Sequence, residues 1–155
     1  MEFLLFLNAK EQEILELLYK AQYSIEENTP LCLLGEKYFG FFKKGQRRIV
    51  ICTKNAMKIS GYYIPKPSRE KDDDSTGIII RRALRHEAVH VAQNCNNGDL
   101  LNLMKGRDKK MHPYKKEALR ASTRISRDSK EREYEAYVME DKPKTVISAL
   151  KKYCL

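Results

Sequence analysis

The sequence predicts an α+β fold: one compact domain over residues 1–155, with a small mixed sheet and a helical C-terminal part. Three observations predict it. Apolar residues recur at helical spacing near the start and through the last third. Between them, positions 31–53 hold short aromatic and β-branched runs punctuated by glycine. A chain of 155 residues, 42% hydrophobic and 33% charged, suits a single core.

The elements follow in order. Asn8 and Glu11 have capping-box spacing, and Ile14, Leu18, Ala21 and Ile25 then mark a helix of about five turns ending at Thr29 and Pro30. LCLL, YFGFF and RRIVICT read as strands separated at Gly35 and Gly45. After GYYI, the stretch PKPSREKDDDSTG is nearly devoid of apolar residues and reads as a surface loop. Ile78 to Cys95 forms a helix, with Ser75 or Thr76 as cap and Gly98 as its stop. The last third is helical with a break near Ser126 to Asp128. Asp141 caps and Pro143 opens a final helix whose Val146, Leu150 and Tyr153 share a face.

Several classes are excluded. The longest early apolar run, Phe3 to Leu7, is far short of the ~18 to 20 residues that span a bilayer, so no membrane partner is expected. Cys32, Cys52, Cys95 and Cys154 are widely spaced with no CxxC pair, which predicts reduced thiols and a cytoplasmic location, the host cytoplasm if the chain is viral. Lys+Arg 30 against Asp+Glu 21 give a net charge of +9, favouring acidic partners. Segment 105–132 holds eleven basic residues against four acidic ones, a charge suited to nucleic acid or an acidic protein. It has few aromatics for base stacking, so a solvated basic face is the simpler reading.

The chemistry concentrates at His86-Glu87-Ala88-Val89-His90, an HExxH pattern inside the predicted helix. Histidines four apart project from one helix face, so both imidazoles reach one metal ion with Glu87 beside them. Zinc suits neutral imidazoles and, when catalytic, keeps a position open for water, for which Glu87 is the general base. Cys95 points about 140° away from that face, at ~100° per residue, and reads as a core residue, as do Cys32 and Cys52.

A catalytic zinc needs a third protein ligand. Within EREYEAYVME the choices are Glu133, with Glu131 or Glu135 as neighbours; the other choice is His112, the one remaining histidine. HEAVH followed some forty residues later by a helical EYEA resembles the gluzincin clan of zinc metallopeptidases, such as the HtpX-like and ImmA/IrrE-type families. The resemblance implies a zincin-like fold, zinc metalloendopeptidase activity on protein or peptide substrates, and one zinc per chain. It also implies that Glu133, three before Ala136, is the third ligand beside His86 and His90. HEAVHVAQ is similar to the HExxHxxQ of small zincin-like bacterial and phage proteins, which places Gln93 in the cleft wall.

Where several gluzincins carry an acidic residue four after the ligand glutamate, this chain has Tyr137. Tyr114, Tyr134 and Tyr137 are the candidate oxyanion stabilisers. Zincins commonly pair an edge strand with extended substrate, a role open here to RRIVICT or GYYI. Two other readings stand beside this one. With His112 as ligand, the chain resembles SprT-like proteases that act on DNA-attached proteins. Without cleavage, it is a zinc-stabilised structural or nucleic-acid-binding module, and an intact Glu87 favours the enzyme over that module.

Overall fold

In a computed structural model, which describes residues 1–61, 74–103, 113–126 and 130–155 apart from the side chains of 114 and 121–126, the first helix is shorter than its apolar spacing suggests. It runs over Ala9–Lys20 (α1) and closes with paired bonds from Gln22 N–H to Tyr19 C=O and Tyr23 N–H to Leu18 C=O, with Gln22 at φ +67°. That left-handed residue reverses the chain, so Ile25 lies in a strand, not on the helix. Asn8 is the N-cap residue, but its side chain makes no cap bond. Glu11 does not complete a capping box either. It is buried and accepts a 2.6 Å hydrogen bond from Arg85 Nη1.

Three strands form one mixed sheet: β1 (Ser24–Glu27), β2 (Gly40–Lys43) and β3 (Arg48–Ile51), in the order β1-β3-β2. β1 runs parallel to β3 with Ile25 opposite Ile49, and β2 runs antiparallel to β3 with Gly40 opposite Ile51. Gly45 at φ +84° turns the hairpin between β2 and β3, a conformation that suits glycine. RRIVICT therefore supplies the central strand, paired on both sides, and cannot be a free edge. Among the described residues, β2 is the edge on the other side of β3 from β1, and residues 62–64 of GYYI lie outside them. LCLL is a short 3₁₀ helix, Pro30–Leu34, opened by a proline whose missing N–H would have left a gap in a ladder.

Among the described residues five further α-helices follow: α2 (Thr53–Ile59), α3 (Ser75–Cys95), α4 (Pro113–Ser126), α5 (Lys130–Met139) and α6 (Pro143–Cys154). Of the loop expected over 65–77, residues 65–73 lie outside the described residues, while Ser75, Thr76 and Gly77 form the first turn of α3 with Asp74 at its N-cap; of the break expected near Ser126 to Asp128, Ser126 ends α4 and residues 127–128 lie outside the described residues. α3 packs against α1, α5 and α6 and against β2 and β3, which explains why fourteen of its 21 residues are buried. Leu84, Ala88, Val91 and Ala92 join Ile14, Leu18, Val146 and Leu150 in the main core. Burying helix residues on both faces is what carries HEAVH into the interior. Pro143 opens α6 as expected, but Lys142 holds the N-cap position, because the Asp141 carboxylate accepts bonds from Arg82 Nε at 3.0 Å and Lys115 Nζ at 2.6 Å.

The cysteines are not free thiols. Cys32 is bonded to Cys52, and Cys95 to Cys154. The expectation of reduced thiols rested on spacing in sequence, whereas the fold brings residues 20 and 59 positions apart to Cα separations of 5.6 and 5.2 Å. Cys95 does point away from the histidine face, and its bond ties the end of α3 to the end of α6. No helix among the described residues is long and apolar enough to cross a membrane.

Candidate metal centre

The middle of α3 supplies His86, Glu87 and His90, and α5 supplies Glu133. All four are buried. One ligand atom each from His86, His90 and Glu133 lie within 4.8 Å of one another, and this group can hold a metal ion. The sequence left the third ligand open, and the fold chooses among the glutamates. Glu131 is exposed. Glu135 turns its carboxylate to the Leu101 and Asn102 N–H groups at 3.0 and 3.1 Å and to Gln93 Nε2 at 3.0 Å. Glu133 alone of the three faces the imidazoles. His112 lies outside the described residues.

The hydrogen bonds around the imidazoles fix which ring atoms face the centre. Gln93 Nε2 donates to the Arg132 carbonyl at 3.1 Å and to Glu135, which orients its amide so that Oε1 accepts from His90 Nδ1 at 2.9 Å. His86 Nδ1 meets Glu140 Oε2 at 3.1 Å. Both Nδ1 atoms are thus donors, and both Nε2 atoms point at Glu133, at 3.3 Å from His86 and 3.0 Å from His90. In a neutral imidazole those Nε2 atoms carry lone pairs, and they face carboxylate oxygens that also carry lone pairs. A cation among them resolves the conflict: the donor set, two imidazoles and one carboxylate, is one that zinc accepts. Without a metal, protons must do so. Burial opposes charge on His86, but its bonds to Glu133 and Glu140 outweigh that and hold its pKa well above the usual imidazole value. Burial likewise opposes charge on His90, and its bond to Glu133 raises its pKa on balance. Burial pushes Glu133 up, yet the two histidines outweigh it and hold the carboxyl far below the usual range.

Glu140 is the residue that sequence reasoning missed. It is buried and sits seven positions after Glu133, whereas the gluzincin-like motif expected from the sequence would have an acid four positions on, where this chain has Tyr137. That spacing was the available signal. Lys115 Nζ at 2.9 Å holds the other oxygen of Glu140. Burial lowers the pKa of Lys115, but Asp141 and Glu140 together raise it above the ordinary lysine value. Tyr137 instead lays its ring against His86, with centroids 4.4 Å apart. Tyr134 is half-buried, and the Tyr114 side chain lies outside the described residues. Two members of the basic segment are structural: Lys115, and Arg132, whose Nη1 donates to the Gly98 carbonyl at 3.1 Å.

Glu87 lies beside the edge strand. Burial raises its pKa, the neighbouring histidine charges lower it, and the balance leaves it at about 7. Gly40 of β2 makes this placement feasible, since a Cβ there would come within 3.0 Å of Glu87 Cγ and Oε1. Phe42, two residues along, stacks on His90 with centroids 6.1 Å apart. No pattern in a lone YFGFF indicates that its glycine makes room for a carboxylate 47 positions away.

Fold and site together define an α+β protein with a buried His-His-Glu group on two helices. The chain belongs to the DUF8637 family, a domain of unknown function, which it matches over residues 3–155. No curated protein and no solved structure matches it.

Proposed function

We propose that the chain is a zinc-dependent peptidase whose metal is held by His86, His90 and Glu133. The observation that carries this reading is the facing of two imidazole Nε2 atoms and the Glu133 carboxylate, all acceptors once both Nδ1 atoms donate. Bound there, zinc would supply polarisation of the scissile carbonyl and acidification of water. The chain supplies the rest. Glu87, with a pKa of about 7, is matched to take the proton of the attacking water and return it to the leaving amine. Gly40 leaves its carboxylate room beside β2, and that strand offers main-chain groups on which an extended peptide can lie. Glu140 and Gln93 hold the imidazoles in the orientation that presents Nε2.

The two disulfides favour an oxidising compartment over the cytoplasm. Lys115 and Arg132 serve the fold, so a nucleic-acid role for the basic segment would fall on its remaining cations.

Zinc stoichiometry of metal-replete protein tests the centre: one ion per chain is expected, weakened in His86→Ala and Glu133→Ala. Glu87→Gln should keep zinc and fold while losing cleavage of a reduced, unfolded protein substrate. Wild type without zinc, or undiminished cleavage by Glu87→Gln, would overturn the proposal.

A further inference from the structure

Glu11 is a buried carboxylate that neither completes a cap nor belongs to the metal-binding group. Its partner is Arg85 of α3, whose Nη1 donates to Glu11 Oε1 at 2.6 Å, with Arg81 Nε farther off at 3.9 Å. A pair in such a place spends on desolvation about what its attraction returns, so stability alone gives little reason for it. Its geometry gives a better one. Arg85 Nε donates to the carbonyl of Glu140. Glu140 follows the last residue of α5, where carbonyls have no donor further along the same helix. The next residue of α3, His86, meets the carboxylate of that same Glu140 at 3.1 Å. Two consecutive residues of α3 thus grip one residue at the end of α5, one by its backbone and the other by its side chain. Lys115, from α4, holds the second carboxylate oxygen, whereas Arg85 ties the main chain of Glu140 to the helix that bears the histidines.

We propose that Arg85, oriented by Glu11, is a positioning residue for the metal centre. It fixes the backbone of Glu140 so that the carboxylate stands at His86 Nδ1 and keeps Nε2 aimed at the metal. The planar guanidinium suits this task, because Glu11 on Nη1 sets the rotation that presents Nε to the carbonyl. The proposal rests on the metal-binding half of the reading above and not on peptide cleavage.

Two variants separate this role from plain stability. Arg85→Lys keeps a cation for Glu11 but carries a point charge where the guanidinium has a fork, so it gives up the Glu140 carbonyl. Glu11→Leu/Arg85→Met removes both charges together, leaves no ion buried alone and should preserve the fold; if it does not fold, Arg85→Lys carries the test. In both, competition with a chromophoric chelator should show zinc binding weakened on the order of tenfold, the lower end for supports of metal-bound histidines, since Lys115 still holds Glu140. In zinc-loaded protein labelled with ¹⁵N-histidine, the His86 Nδ1–H signal should shift or broaden while that of His90, held by Gln93, stays in place. Zinc affinity within twofold of wild type, or an unmoved His86 signal, in the folded variants would overturn the inference. So would equal movement of both histidine signals, the mark of a general loosening. If wild type takes up no zinc, the metal centre itself falls, and the same two signals in metal-free protein score Arg85. Movement confined to His86 then keeps its hold on that imidazole, and no movement overturns it.

Discussion

Replacing Glu140 by glutamine changes one charge in the support of His86 and leaves the shape of the side chain almost intact. In the wild type its carboxylate accepts from His86 Nδ1 at 3.1 Å and from Lys115 Nζ at 2.9 Å, in a site closed to solvent. A hydrogen bond to a charged acceptor contributes about 1.5 to 3 kcal/mol, against about 0.5 to 1.5 for a neutral one. The substitution therefore costs about 1.4 kcal/mol of His86 orientation and basicity, or roughly tenfold in zinc Kd. A glutamine has one oxygen for two donors, so whichever partner it keeps, its amide nitrogen meets the other. Glu140→Ala leaves the buried Nδ1–H without an acceptor, and the loss should approach a hundredfold, the upper end seen for partners of metal-bound histidines. Competition against a chromophoric chelator at neutral pH measures both, with circular dichroism checking the fold. If both variants stay folded and bind zinc within twofold of wild type, Glu140 does not position His86 and the orientation assigned to that imidazole is wrong.

Other predictions bear on the neighbouring features. Gly40→Ala should retain zinc but lower peptide cleavage by on the order of a hundredfold, because its Cβ would displace the Glu87 side chain; unchanged turnover would refute the crowding. Removing Cys95–Cys154, which closes 59 residues, should destabilise the protein by about 4 kcal/mol, and removing Cys32–Cys52, which closes 20, by about 3, as read from urea unfolding of the Ser variants. Burial raises the Asp141 pKa, but Lys115 and Arg82 outweigh it and lower it on balance. Its stabilisation is therefore present above the ordinary aspartate value and lost as pH falls through the folded one. Asp141→Asn should flatten the acid limb of the stability curve measured by urea midpoint between pH 5 and pH 3.

HEAVH was legible in the sequence because a motif on one helix depends only on local periodicity, and α3 keeps that periodicity from Ser75 to Cys95. The α+β class and the helical C-terminal part were legible for the same reason. Glu133 was legible through a resemblance of short motifs, with Glu131, Glu135 and His112 left open beside it. Only the packing of α5 against α3 turned Glu133 towards the imidazoles and committed Glu135 to backbone N–H groups.

What the tertiary structure decided is wherever residues distant in sequence compete for the same partner. Ile25 keeps helical spacing, yet pairing with β3 and a left-handed Gln22 put it in a strand. Glu11 has the spacing of a cap and bonds Arg85. The cysteines look isolated until the fold closes the distance between them. Glu140, Gly40 and Gln93 owe their roles to atoms that only the folded chain brings within reach. Local patterns determine which helix and strand types form; long-range contacts determine which atoms meet, and the chemistry of this site depends on those contacts.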